Sequence, residues 1–182
     1  MKKFSVKTIV AIGIGAALFF VLGKFAGVPV PVANVTLATQ YGLLAFMTAV
    51  FGPIAGALIG FIGHYLIDLA AGWGIWWSWV VCSGIFGLLM GLANKLLKLD
   101  DGKMSIASII KFNVAQAIAH VICWTGIAPV LDIWWYSEPV DKIFVQGLAS
   151  AGLNTLTTAI VGTILLVAYS ATKVKAGSLN KE

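Results

Sequence analysis

The sequence contains no arginine: every one of its 12 basic residues is a lysine. That removes the planar, bidentate fork on which phosphate and base-edge recognition depend, so the net charge of +5 does not point to nucleic acid. Charge of either sign is scarce, at 10% of residues against roughly 25% in a soluble domain. Cysteine is scarcer still. Cys82 and Cys123 stand alone in apolar runs, without a C-x-x-C or a ligand-spaced partner. This excludes a disulfide framework and a zinc site and leaves them as small buried residues. No G-x-x-x-x-G-K-[ST] motif is present, which excludes an ATPase within this chain, and neither G-x-S-x-G nor H-E-x-x-H appears. The two histidines, His64 and His120, have no recognisable metal-ligand spacing. Enzymatic activity, a cofactor and a bound metal are therefore not expected.

What is abundant is apolar surface. Hydrophobic residues make up 60% of the 182, and the mean hydropathy is +0.97. A water-soluble fold of this size cannot hide that much, so lipid must be the solvent for most of the chain. An all-α integral membrane protein is expected, a bundle of about six transmembrane helices forming one domain over residues 1–182. The spans read as about Thr8 to Phe25, Leu37 to Val50, Ile54 to Ala71, Ser78 to Leu97, Ile106 to Ala128 and Lys142 to Thr172. A signal peptide competes for the first of these. No small-x-small site leads into a polar domain, so a retained helix is expected. Breaks are marked by Gly27 to Thr36 with its two prolines, by Gly52-Pro53, and by Asp101-Gly102 within the polar stretch Lys98 to Ser105. Pro129 to Asp141 reads as the longest loop.

Lys2, Lys3, Lys7, Lys95, Lys98, Lys103, Lys173, Lys175 and Lys181 all fall on one side of such a bundle, with Lys111 near it. Lys24, Lys142, Asp68, Asp132, Glu138 and Asp141 fall on the other. The positive-inside rule then places both termini in the cytoplasm.

All seven tryptophans, Trp73, Trp76, Trp77, Trp79, Trp124, Trp134 and Trp135, gather at the predicted outer ends. Interfacial anchoring explains such residues, but anchors normally decorate both faces. Their one-sidedness suits an outward pocket that stacks a flat ligand. On the fifth span Asn113, Gln116, His120 and Trp124 share an arc of about 80°, as do Gln146, Ser150, Asn154 and Thr157 on the sixth. His64 and Asp68 lie one turn apart on the third. Interhelical hydrogen bonding and ligand binding both account for intramembrane polar groups. Packing is preferred for the deep Asn113, Asn154 and Thr157, while His120, Gln116, His64 and Asp68 remain open to either use. Small residues form stripes: Ala11/Gly15 and Gly13/Ala17 on the first span, Gly52, Gly56 and Gly60 on the third, Gly87 and Gly91 on the fourth. Such stripes allow close helix approach, within the bundle or against a partner.

The segments KKFSVKTIVAIGIGAALFFVLGKFA, TQYGLLAFMTAVFGPIAGALIGFIGHYLID and WWSWVVCSGIFGLLMGL resemble the substrate-binding S-components of energy-coupling factor (ECF) vitamin transporters. The likeness covers nearly the whole chain and is greatest to a subfamily with members called hydroxymethylpyrimidine transporters. It implies a vitamin site near the outer face, under the loop joining helices one and two. The substrate-binding set then comprises Asn34, Gln40, Tyr41, His64, Asp68, Trp77, Trp79, Gln116, His120, Trp124 and Gln146. It also implies a membrane coupling subunit gripping the first helix through Ala11, Gly13, Gly15 or Ala17, two cytoplasmic ATPases, and transport by toppling of the S-component. A self-sufficient ion-coupled carrier would show inverted repeats with broken helices, and no such symmetry is visible. A membrane enzyme would have only His64/Asp68 to work with.

Overall fold

The computed structural model describes residues 5–72, 74–93 and 104–173. The expected polar loop from 98 to 103, Trp73, and the lysines at 2, 3, 95, 98, 103, 175 and 181 lie outside the described residues.

Among the described residues six helices build the bundle: α1 (Val6–Phe25), α2 (Gln40–Phe51), α3 (Pro53–Ala71), α4 (Trp77–Ala93), α5 (Ile106–Tyr136) and α6 (Val140–Ala171). Four of them, α1, α3, α5 and α6, are long and apolar enough to cross a membrane. α2 has 12 residues, about 18 Å of rise, and cannot span a ~30 Å core by itself. The hairpin before it, β1 (Val28–Pro29) against β2 (Thr36–Leu37), caps that end of the bundle, with Val28 opposite Leu37 and Pro29 opposite Thr36. Leu37 thus belongs to a strand, and the second helix starts at Gln40, three residues later than its apolar pattern suggests. Asn34 turns the hairpin with φ 61°, a left-handed conformation that asparagine tolerates.

Local chemistry sets the helix ends. Ser5 caps α1 by accepting from Thr8 N–H at 3.2 Å. Gly52, at φ 89°, makes the elbow into α3, where Pro53 takes the first helical position. Gly52 therefore belongs to a turn and not to the stripe of Gly56 and Gly60.

The largest departure from expectation is at Pro129. The helix does not stop there but runs on to Tyr136, and the turn shrinks to Ser137, Glu138 and Pro139. Ile122–Ile127 adopts the wider π conformation, and Pro129 enters within the first turn of the α segment that follows. A proline lacks the donor and clashes with the carbonyl four residues back, so a widened turn accommodates it where a regular helix would break. Ser137, at φ 54°, closes the helix by donating its N–H to Ile133 O at 3.1 Å. A second π segment, Thr158–Gly162, interrupts α6.

The core is where glycines let backbones meet. A Cβ on Gly87 of α4 would strike the Gly56 carbonyl of α3, and one on Gly60 would strike Ser83 O. On α1, Ala11 is buried, and a Cβ on Gly15 would sit 2.8 Å from Ile59 Cδ1 and 3.1 Å from Met47 Cε. The stripe Ala11/Gly15 is thus taken up by packing inside the bundle, while Gly13 has nothing within 4 Å and Ala17 is exposed. Around them Ile9, Val10, Ile14, Leu18 and Val21 face outward, as a lipid-facing surface requires. Cys82 and Cys123 are buried and free, the Cys82 thiol donating to Cys123 O at 3.5 Å.

Replacing Gly87 by alanine should force α3 and α4 apart and destabilise the fold by about 1–3 kcal/mol. Gly152→Ala, with open space around its Cβ, should change stability by less than ~0.5 kcal/mol. Thermal unfolding in detergent measures both, and equal melting temperatures would contradict the close crossing.

Candidate functional site: a tryptophan-walled cavity at one end of the bundle

At the end where the hairpin lies, the helices diverge around a cavity of about 400 Å³. Every element brings residues to it: α1 through Gly23 and Lys24, the hairpin through Pro29 and Asn34, α2 through Gln40 and Tyr41, α3 through His64 and Asp68. α4 adds Trp79, with Trp76 just before it; α5 adds Trp124; α6 adds Lys142, Gln146, Ser150 and Asn154. The volume falls within the ~300–1,000 Å³ of ordinary ligand sites.

An aromatic wall is held from behind. Trp79 and Trp124 stack with ring centres 5.2 Å apart and planes at 25°. Tyr41 meets Trp124 at 5.3 Å and 67°. Behind them stands Asp132, fully buried near the end of α5. Its Oδ1 accepts from Trp76 Nε1–H at 2.7 Å and from the Ser78 hydroxyl, and its Oδ2 accepts from Trp79 Nε1–H at 2.6 Å. One carboxylate thus orients two indoles of the wall, and three donors compensate its burial. Trp124 is fixed similarly: its Nε1–H donates to His120 Nδ1 at 2.9 Å. Since indole can only donate, Nδ1 is the accepting nitrogen, so Nε2–H of a neutral His120 donates to Thr158 Oγ1 at 3.0 Å. This chain links the π segment of α5 to that of α6.

The polar side is a second network. Tyr41 OH lies 2.7 Å from Ser83 Oγ, which lies 2.5 Å from His64 Nδ1. His64 Nε2 is 3.8 Å from Asp68 Oδ1, and Asp68 Oδ2 accepts from Trp76 N–H at 2.9 Å. Gln146 Nε2 donates to Ala33 O at 2.7 Å, pinning the hairpin over the cavity. Lys142 pairs with Glu138 at 2.6 Å at the rim.

Of the residues expected to bind substrate, Asn34, Gln40, Tyr41, His64, Asp68, Trp79, Trp124 and Gln146 converge on this cavity. Three do not reach its lining. Trp77 is 44% exposed and stacks on Tyr65 at 5.9 Å on the outside of the bundle. His120 and Gln116 share the inward face of α5 with Trp124 but lie one and two turns deeper, about 6 and 12 Å along the axis. Gln116 is spent on the Thr155 carbonyl at 3.2 Å, and His120 on supporting Trp124. Asn113 bonds Thr163 across helices at 3.1 Å and Thr157 bonds the Leu153 carbonyl of its own helix at 3.1 Å, both structural uses. Asn154, expected in that class, instead lines the cavity with Ser150. Trp134 and Trp135 are exposed at the same end, in the position of interfacial anchors. Asp132 escaped the sequence reading because Pro129 implied a loop around it. The available signal was an acid within an apolar run, two residues before paired tryptophans.

Homology to known proteins covers nearly the whole chain. Residues 3–171 match the family described as "ECF-type riboflavin transporter, S component". The chain belongs to this family. A UPF0397 protein of Staphylococcus aureus strain MSSA476 is 50% identical over 184 residues, covering all of both chains. UPF0397 proteins of strains MRSA252 and Newman are 50% and 49% identical over the same extent. The chain is therefore a substrate-binding component of an ECF-type transporter, not an enzyme, and a multi-pass protein of the bacterial plasma membrane. Family membership implies association with an ECF module.

Asp132→Asn keeps the shape but can no longer accept at both oxygens, so one indole loses its anchor. Each lost charge-assisted bond is worth about 1.5–3 kcal/mol. The variant should fold, show a shifted tryptophan emission, and bind the ligand that co-purifies with the wild type at least tenfold more weakly. Unchanged emission and affinity would remove Asp132 from the site.

Proposed function

We propose that the chain captures a small aromatic vitamin or vitamin precursor, of hydroxymethylpyrimidine, pyridoxine or thiamine type, in the tryptophan-walled cavity. The supporting observation is the stacked Trp79/Trp124 pair facing amides and a carboxylate across about 400 Å³, a volume and polarity matched to one flat polar heterocycle. Riboflavin, named in the family description, is a flat heterocycle of the same general kind and belongs among the compounds to be tried. Asn34, Gln40, Tyr41, His64, Asp68, Trp79, Trp124 and Gln146 act as the substrate contacts, joined by Trp76, Ser150 and Asn154. Trp77, Gln116 and His120 serve the fold.

The cavity end is assigned to the outside and both termini to the cytoplasm. Supporting this, Lys7, Lys111 and Lys173 stand at the opposite end, with seven more lysines in the flanking segments outside the described residues. The chain is one domain and carries no nucleotide-binding motif. Uptake is therefore driven by a membrane coupling subunit with two cytoplasmic ATPases, and the coupling subunit docks on Gly13 and Ala17. Those positions are open to the membrane on the face of α1 opposite Ala11 and Gly15.

Ala17→Leu and Gly13→Leu should cut ATP-dependent uptake in proteoliposomes holding the full complex by tenfold or more. A leucine at a close crossing forfeits many dispersion contacts at once. Ligand affinity of the isolated variants in detergent should stay unchanged. Gly15→Leu, by contrast, should lower thermal stability, since its side chain meets Ile59 and Met47. Loss of binding in Ala17→Leu would place that face inside the fold. Uptake by the chain alone without ATP would make it a self-sufficient carrier.

A further inference from the structure

The polar cluster beside the aromatic wall contains one side chain that the cavity does not touch. Ser83 of α4 is completely buried and lies outside the cavity lining, whereas Tyr41, His64 and Asp68 all border it. A close crossing sets its place. A Cβ on Gly60 of α3 would strike the Ser83 carbonyl, so the two backbones touch there. His64 follows Gly60 by four residues, one turn nearer the cavity on the same face of α3. Ser83 Oγ thereby comes to 2.5 Å from His64 Nδ1 and 2.7 Å from Tyr41 OH.

Counting donors decides which way these bonds run. The Tyr41 hydroxyl has two acceptors within reach, Ser83 Oγ and, at 3.5 Å, His64 Nδ1. A proton on Nδ1, in the other neutral tautomer or in the imidazolium, would make that nitrogen a donor to Ser83. The Ser83 and Tyr41 hydroxyl protons would then share one bond between them, and one buried donor would be stranded among the described residues. With Nδ1 bare, Tyr41 donates to Ser83, Ser83 donates to Nδ1, and every donor is met. The His64 proton then sits on Nε2, which faces Asp68 Oδ1 at 3.8 Å. A carboxylate oxygen at that range favours an N–H over a lone pair, yet the gap is too long for a hydrogen bond. Asp68 meanwhile accepts from Trp76 N–H through its other oxygen. The Nε2–H of His64 is therefore not used up within the protein.

Resting on the cavity as the substrate site, we infer that Ser83 is a positioning residue for substrate recognition: by donating to Nδ1 it holds His64 in the orientation and tautomer that present Nε2–H beside the Asp68 carboxylate. Ser83 acts through His64 and touches no substrate. The same hydroxyl receives Tyr41, so one side chain on α4 fixes a cavity residue on α2 and another on α3. Removing it leaves His64 Nδ1 with the Tyr41 hydroxyl alone, at 3.5 Å, the limit of a hydrogen bond.

The test uses the full chain in detergent with its histidines labelled by nitrogen-15. In the wild type at neutral pH, nuclear magnetic resonance should show His64 with Nε2 protonated and Nδ1 bare, the latter displaced by the hydrogen bond it accepts. Loss of these signals in His64→Ala assigns them. In Ser83→Ala the Nδ1 signal should move toward the position of an unbonded ring nitrogen, while the His120 signals stay in place. Binding is read by tryptophan quenching with thiamine, pyridoxine, a hydroxymethyl-aminopyrimidine and riboflavin as probes. The probe that binds the wild type most tightly should bind Ser83→Ala about three- to tenfold more weakly, the effect of one hydrogen bond. In a His64→Ala background the same substitution should cost nothing further, because the two residues act as one unit. A wild-type proton on Nδ1, an unmoved Nδ1 signal in Ser83→Ala, undiminished affinity, or an equal loss with and without His64 overturns the inference and leaves the cavity as the vitamin site. Failure of all four probes to bind the wild type overturns the function and the inference together.

Discussion

The site depends on one carboxylate that lipid would not tolerate alone. Asp132 is completely buried, and its two oxygens are met by Trp76, Ser78 and Trp79, all at the start of α4. An unpaired charge there would be expensive, so α4 and α5 cannot separate at this end without exposing it. The same bonds decide where the indoles stand. The tryptophan wall is preorganised, so a flat ligand of the proposed kind would gain stacking without having to order the side chains first.

That carboxylate is in place only because α5 continues beyond Pro129. The widened turn at Ile122–Ile127 takes in the proline and also carries Trp124, whose indole rests on His120 and, through it, on the second widened turn at Thr158. Two departures from regular helix are thus tied to each other by a histidine with both ring nitrogens occupied. Such segments occur often at functional sites because they re-aim a side chain without ending the helix. Here the re-aimed side chain is the one stacked on Trp79.

Much of this was legible in the sequence. Hydropathy gave the membrane and the number of helices, and glycine and proline gave the elbow at Gly52-Pro53, whereas α6 begins at Val140, two residues before the expected Lys142. One-sided tryptophans pointed to the correct end of the bundle for the cavity. Depth along a helix was not legible: periodicity places Gln116, His120 and Trp124 on one face but cannot say where the cavity floor lies, and it lies above His120. Nor could periodicity anticipate a π turn, because bonding to the fifth residue leaves no composition signal. Reading Pro129 as a terminus therefore hid Asp132. The two small-residue stripes on α1 were equally visible and equally spaced, and only the positions of Ile59 and Met47 assign one of them inward.

The geometry of α1 bears on how binding and docking relate. Residues 11 and 15 point into the bundle, and residues 13 and 17, about 200° around the axis, point out of it. A partner seated on the outward stripe therefore touches none of the side chains that hold the core. Yet the same helix ends in Gly23 and Lys24, which border the cavity, and leads directly into the hairpin that Gln146 fastens across it. From Ala17 to Gly23 is six residues, about 9 Å of continuous helix. A helix of that length moves as a rigid body, so tilting α1 from its outer face displaces the cavity rim with it. The hairpin resists this through the Gln146–Ala33 hydrogen bond and a two-residue strand pair. Ligand contacts made by Asn34 in the hairpin's turn and by Gln40 just after it would add to the resistance. If the cavity holds the substrate and a partner docks on that face as proposed, occupancy and the freedom of α1 to move are coupled through the chain itself, although the two surfaces share no side chain.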